Sequence, residues 1–246
     1  VDEQGRVTGF EEKPRAPREI PGAPGFALAS MGNYIFRPKV LREALENDAL
    51  QDTSHDFGKT IIPALLSGGA SVWAYDFSLS SVPGDEELAP YWRDIGTVDS
   101  YWEASMDLIS VSPPLNLYNS KWALKSLSPH LPPAKFVFAD AASGRTGIAT
   151  DSMVADGCIV SGGTIHRSIL FPRVRINSYS RVEECVLMDG VDVGRGARLR
   201  KVIADKGVKI PPRVEIGFDP ENDRKRFHVS GGGVVVLPKG VVVPPA

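Results

Sequence analysis

From about Asp151 onward, apolar residues recur at every sixth position, a pattern that few folds accept. Met153, Ile159 and Ile165 form one triplet, and Leu170, Ile176 and Val182 a second. Leu187, Val193 and Leu199 form a third, and Val202, Val208 and Val214 a fourth, with small shifts of phase between them. A left-handed parallel β-helix explains this spacing. Each hexapeptide makes one flat face, three faces close a triangular coil, and the apolar residue of each face points inward. Gly157, Gly162, Gly190, Gly194, Gly196 and Gly207 fall between or beside the apolar positions, where corners demand backbone freedom. An antiparallel sandwich also alternates apolar and turn residues, but it predicts period two within strands and irregular spacing between them. The regular triplets favour the β-helix.

Upstream the pattern differs. Gly25–Arg37 is rich in β-branched, aromatic and small residues, as a buried strand would be. Val40, Leu41, Ala44 and Leu45 recur at helical spacing in Pro38–Asn47. Asp56–Leu66 reads as a second helix, Ala70–Phe77 as a strand, and Tyr101–Val111 as a third helix. Mixed elements of these lengths predict an α/β domain over residues 1–111. The stretch Ser112–Pro133, with Pro113–Pro114 and Pro132–Pro133, continues neither helix nor strand easily and predicts a linker over 112–137. Trp122, Leu124 and Leu127 within it predict that the linker lies against a surface. The β-helix then occupies 138–246. Val1 opens directly into a strand–turn–strand pattern, which reads as the start of a fragment.

A net charge of −2 argues against a general nucleic-acid binder, and no apolar run approaches the roughly 20 residues of a membrane helix. Cys158 and Cys185 lie in apolar stretches, which fits a reducing, cytoplasmic setting without disulfides.

Five short motifs narrow the function. They are Phe10-Glu11-Glu12-Lys13-Pro14, Ala29-Ser30-Met31-Gly32, Ser54-His55-Asp56-Phe57-Gly58-Lys59, Tyr91-Trp92-Arg93-Asp94-Ile95-Gly96-Thr97 and Leu131-Pro132-Pro133-Ala134-Lys135-Phe136. In this order they resemble bacterial glucose-1-phosphate adenylyltransferases over nearly the whole chain. The W-x-D-I-G-T element occurs across many sugar nucleotidyltransferases; the S-H-D-F-G-K and L-P-P-A-K-F elements narrow the match to the adenylyl-transferring, glucose-specific branch. The resemblance implies a partial nucleotidyltransferase domain of Rossmann-like α/β type ahead of the β-helix. It also implies transfer of an adenylyl group from ATP to glucose 1-phosphate for glycogen-type glucan synthesis, in a homotetramer.

The resemblance further implies roles for individual residues, and each has an ordinary structural alternative. Lys13 would clamp the sugar phosphate as a point charge held by Pro14; otherwise it is a surface lysine before a turn. Glu12 would accept hydrogen bonds from glucose hydroxyls, or simply face solvent from a strand. Ser30 would bond the sugar, or its own backbone. Asp94 would hold Mg²⁺ as a hard oxygen ligand, or cap the helix that begins near Asp99. Asp56 and Phe57 would shape the glucose pocket, although Asp56 also suits a helix N-cap. Trp92 packs beneath the site, with substrate contact as the lesser reading. Lys206 and Lys239 would meet the phosphates of a metabolic effector. Arg173, Arg175, Arg198, Arg200, Lys201 and Lys209 add cations that a solvated face also explains.

The family's glycine-rich G-G-x-G-x-R-L loop is not found in the sequence, and Gly231-Gly232-Gly233 lacks its basic partner, so this stretch of chain alone is expected not to turn over. Two other functions are weighed: a β-helix acyltransferase, for which His166 is the histidine within the four coils, and a non-catalytic regulatory subunit of the same family.

Overall fold

A computed structural model describes residues 1–126, 129–140 and 142–244. Its contacts divide the chain into two compact units, Val1–Leu79 and Ser80–Ala246.

In the first unit, helix α1 (Pro38–Ala49) begins on a proline, whose fixed φ suits a first helical position and whose missing N–H costs nothing there. Its expected apolar stripe is half-buried at Val40, Leu41 and Ala44. A π-helical turn, Phe57–Ile61, runs into α2 (Ile62–Ser67) and buries Ile61 and Ile62. The strand expected over Gly25–Arg37 is corrected. Only Ala23–Ala27 is strand, paired with Glu19–Ile20, and Phe26, Leu28 and Ile35 are 69%, 64% and 102% exposed. The strand expected over Ala70–Phe77 and the strand–turn–strand opening are also corrected. They reduce to a turn at Asp2–Gly5 and one antiparallel bridge, Arg6 to Trp73, flanked by hydrogen bonds from Val7 N to Val72 O and Ala74 N to Gly5 O, each 2.9 Å. Strand-like composition describes residues that fit a pleated, packed surface. A ladder also needs a continuous neighbour, which these segments lack among the described residues.

In the second unit, the 112–137 segment departs from expectation. Trp122 and Leu124 are 55% and 58% exposed instead of lying against a surface, and Leu127 falls outside the described residues. A polar knot anchors the segment instead. The buried Asn119 amide donates to Pro83 O at 2.8 Å and Asp85 Oδ2 at 2.6 Å, while its own oxygen accepts from Lys121 N and Trp122 N.

The β-helix follows as a parallel solenoid of three sheets. One contains Met153–Val154, Ile169–Leu170, Val186–Leu187, Val202–Ala204 and Val235–Leu237. The second contains Lys135–Val137, Ile159–Ser161, Arg175–Ile176, Asp192–Val193 and Lys209–Ile210. The third contains Ile148–Thr150, Thr164–His166, Arg181–Glu183, Arg198–Arg200 and Glu215–Ile216.

Register refines the expected inward set. Leu170 faces Leu187 and Ile176 faces Val193, so a coil takes 17 residues; Leu170 also faces Val154, and Ile176 faces Val160, a step of 16. The inward columns are therefore Val154–Leu170–Leu187–Ala204, Val160–Ile176–Val193–Ile210 and Ile165–Val182–Leu199–Ile216. Met153 and Ile159 are corrected: each lies one residue off the inward column, on the opposite side of the pleat. Val202, Val208 and Val214 are fully buried, yet none lies on an inward column: Val208 and Val214 sit at bends, and Val202 opens the strand that carries the inward Ala204. A coil thus buries two residues per face, one on the strand and one at the bend.

Each corner also carries a column in left-handed backbone. Gly157, Arg173, Gly190, Gly207 and Gly240 form one, Gly162, Tyr179, Gly196 and Arg213 another, and Asp151, Arg167, Glu184 and Lys201 a third without glycine. Gly194 is corrected, since its φ is not positive. It is a close-approach position, where a Cβ would sit 2.6 Å from Ile210 O.

Candidate functional site

Five of the candidate residues meet within the first unit. The exposed Lys13 ammonium lies 3.7 Å from Glu12 Oε1, and Lys13 holds a left-handed φ of 50°, which a non-glycine residue adopts at a cost. Glu12 runs against the buried Gly58, where a Cβ would collide with its Oε2 and lie 3.4 Å from Asp56 Oδ1. Asp56 caps the π-turn by accepting from Lys59 N at 2.9 Å, so its structural reading is realised. Phe57 stacks on Tyr34 with ring centroids 5.8 Å apart, and Phe36 leans on both. The Tyr34 hydroxyl in turn shares a hydrogen bond of 2.9 Å with Ser30 Oγ, which also accepts from Gly32 N. A chain of contacts therefore runs Lys13–Glu12–Gly58–Asp56–Phe57–Tyr34–Ser30. Tyr34 and Gly58 were not singled out in the sequence. Their signal is the short spacing to Ser30 and Phe57, which becomes meaningful only once the turn is folded.

His55, also left-handed at φ 50°, ties the turn to the end of α1 through Nδ1 to Asp48 Oδ2 at 2.7 Å. Bonds to His55 and Thr53 hold the Asp48 carboxyl below its ordinary range.

Trp92 and Asp94 belong to the second unit. Asp94 Oδ1 accepts from Gly96 N at 2.9 Å, which curls the backbone around the carboxylate. Asp94 does not cap the following helix. That helix, α3 (Val98–Leu108), is capped by Thr97, whose hydroxyl accepts from Ser100 N at 3.1 Å while Ser100 Oγ accepts from Thr97 N at 3.1 Å. The helix starts and ends three residues earlier than expected, because the reciprocal Thr97–Ser100 box sets its first turn. Trp92 is 44% exposed.

Asp94 fits one ligand position for a hard cation: it is exposed, and Oδ2 accepts no hydrogen bond among the described residues. No group of three or more His, Cys, Asp or Glu residues suited to a metal occurs among the described residues.

The effector candidates Lys206 and Lys239 lie on adjacent rungs of one corner, joined by Gly240 N to Lys206 O at 2.8 Å. Neither has an ion-pair partner among the described residues. Of the other candidate cations, Arg173 pairs with Asp189 and Arg198 with Glu215, each at 2.6 Å. His166 sits on the outer side of the third sheet, bonded to Thr150 Oγ1 at 3.0 Å.

Residues 1–111 match the nucleotidyl transferase family, and residues 132–237 match the GlmU-like C-terminal hexapeptide family. Glucose-1-phosphate adenylyltransferases align over almost all of the chain. That of Thermus thermophilus is 55% identical over 98% of this chain and 58% of its own length. That of Deinococcus radiodurans is 51% identical over 98% and 59%, and that of an Anaeromyxobacter species 49% over 100% and 60%. The chain belongs to the glucose-1-phosphate adenylyltransferase family. It spans about three-fifths of the length of these curated relatives. Nucleotidyltransferases of this family use a divalent metal, consistent with an exposed, singly bonded carboxylate at Asp94. No helix among the described residues is long and apolar enough to cross a membrane.

Proposed function

We propose that the protein carrying this chain transfers the adenylyl group of ATP to glucose 1-phosphate, giving ADP-glucose and pyrophosphate for glucan synthesis. The observation that supports this most directly is the convergence of Lys13, Glu12, Asp56, Phe57 and Ser30 on one contiguous patch. Lys13 is a cation for the sugar phosphate, Glu12 an acceptor for sugar hydroxyls, and Ser30 a hydroxyl beside an aromatic wall of Tyr34 and Phe57. In the reaction a phosphate oxygen of glucose 1-phosphate attacks the α-phosphorus of ATP as the bond to pyrophosphate breaks. Lys13 orients the attacking phosphate and offsets its charge. Asp94 holds Mg²⁺, which neutralises phosphate charge when bound.

We assign the corner at Lys206 and Lys239 to a phosphorylated effector, since two unpaired cations one rung apart suit a phosphate. The β-helix serves assembly as a homotetramer in the cytoplasm. A regulatory subunit without catalysis would not need the strained Lys13.

The intact protein tests this. Pyrophosphate release should require both ATP and glucose 1-phosphate. Lys13→Ala should raise the KM for glucose 1-phosphate at least roughly tenfold with little change for ATP. Turnover with GTP and mannose 1-phosphate but not with ATP would sink the assignment, and an equal rise in both KM values would remove the clamp role from Lys13.

A further inference from the structure

The turn Ser230–Gly233, set aside as a phosphate loop for want of a basic partner, is occupied in another way. The Asp99 carboxylate, in the first turn of α3, accepts from the Ser230 hydroxyl on Oδ1 and from Gly232 N at 3.0 Å on Oδ2. Ser230 Oγ also accepts from Val234 N at 2.9 Å, so the serine is fixed before it meets the carboxylate. Gly232 permits the approach, for a Cβ there would lie 2.6 Å from Asp99 Oδ1. Lys201 completes the contact. Its ammonium donates to Gly232 O at 2.6 Å and sits 4.7 Å from the centre of the Trp102 ring.

These bonds hold one end of α3, and an apolar seam holds its length: Met106 is buried with Val186, Ile203 and Val234 of the solenoid. The other end of the rigid path is short. Asp94 closes on Gly96, Thr97 caps α3, and Asp99 follows two residues later. No flexible segment separates the carboxylate assigned to the metal from the carboxylate bound to the solenoid.

We propose that Asp99 is a positioning residue for the Asp94 loop, and that the Ser230–Gly233 turn of the β-helix is the surface against which it is set. This rests on the assignment of Asp94 above. The hexapeptide domain then does more than assemble subunits: its last hairpin, His228–Val229 paired antiparallel with Val235–Leu237, fixes the direction from which a metal-binding carboxylate is presented. Gly232 is a glycine because a carboxylate approaches its backbone, and Gly233 because the turn places it at a left-handed φ of 82°.

Asp99→Asn and Ser230→Ala in the intact protein test this, with Ser230→Thr as the variant that keeps the hydroxyl. Loss of positioning should lower kcat about tenfold and raise the Mg²⁺ concentration for half-maximal rate several-fold, because small misplacements of catalytic groups cost rate steeply. The KM for glucose 1-phosphate should stay within about twofold of wild type, since Asp99 touches no residue assigned to the sugar. Ser230→Thr should restore both quantities. Amide exchange at Gly96 and Ser100 should accelerate in Ser230→Ala, a readout that needs no turnover. A lowered melting temperature with unchanged kcat, Mg²⁺ requirement and exchange would reduce the contact to stability alone and overturn the proposal. Faster exchange in Ser230→Ala, with no adenylyl transfer by the wild-type protein, would instead sink the proposed function and leave the Asp99 contact standing.

Discussion

Trp102 donates its indole N–H to the backbone carbonyl of Glu184 at 2.8 Å, across 82 residues of sequence. Glu184 is one of the corner residues in left-handed backbone, at φ 53°. Helix α3 thus satisfies the solenoid's bend while its apolar side covers Val186 and Ile203. Trp102→Phe keeps most of the packing and removes the donor. It should cost about 1 kcal/mol in denaturant unfolding, the usual net worth of a hydrogen bond at a partly buried site. An unchanged midpoint would show that water replaces the indole.

The register of the solenoid can be read by two substitutions of one residue type. Ile176 is fully buried in an inward column, and Ile159 is only partly covered. Ile176→Ala should cost roughly 2–5 kcal/mol, and Ile159→Ala clearly less. Equal losses would restore the simple six-residue phase, in which both point inward.

Two glycines should respond differently to alanine. Gly190 has φ 71° and open space around its missing Cβ, so Gly190→Ala meets only backbone strain of about 1 kcal/mol. Gly194 has an ordinary φ, but a Cβ would lie 2.6 Å from backbone atoms of Ile210, Pro211 and Pro212. Gly194→Ala should cost on the order of 3 kcal/mol, as overpacking does when rigid backbone must move. Melting temperatures of the two variants check the order.

Alkaline pH should loosen the solenoid. Burial pushes the Cys185 thiol up to about 12 from 9.0, and burial raises Cys158 as well. Above pH 9 the unfolded chain loses these protons while the folded chain keeps them. Stability contributed by the raised values is therefore present below that pH and is lost as pH rises toward 12. A thiol reagent at pH 8 should leave both cysteines unmodified until denaturant is added.

Acid acts on the Asp99 contact with the opposite sign. The Ser230 hydroxyl, then the Gly232 N–H, hold the Asp99 carboxyl below its ordinary 3.8, with Lys201 and His228 adding attraction. Its contribution is complete above that value and is lost as pH falls through the lowered one. Exchange at Gly232 should stay slow at pH 5 and accelerate only well below pH 4. Acceleration already near pH 5 would mean that another group releases the turn.

The residues decided much of this protein without any tertiary information. Six-residue spacing demanded a solenoid because stacked coils repeat their buried positions once per face, and the family motifs stood in order along the chain. Local signals also set α1 through Pro38 and α3 through the Thr97–Ser100 box. Folding alone decided which residue of each apolar pair turns inward, since a step of one residue reverses the pleat and the true coil of 17 residues drifts against a period of six. Contacts over long separations were equally invisible. Tyr34 beside Phe57, Asn119 on Asp85 and Asp99 on Ser230 each depend on where distant backbone happens to pass. Composition and spacing report what a residue can bond; only the fold determines what comes within reach.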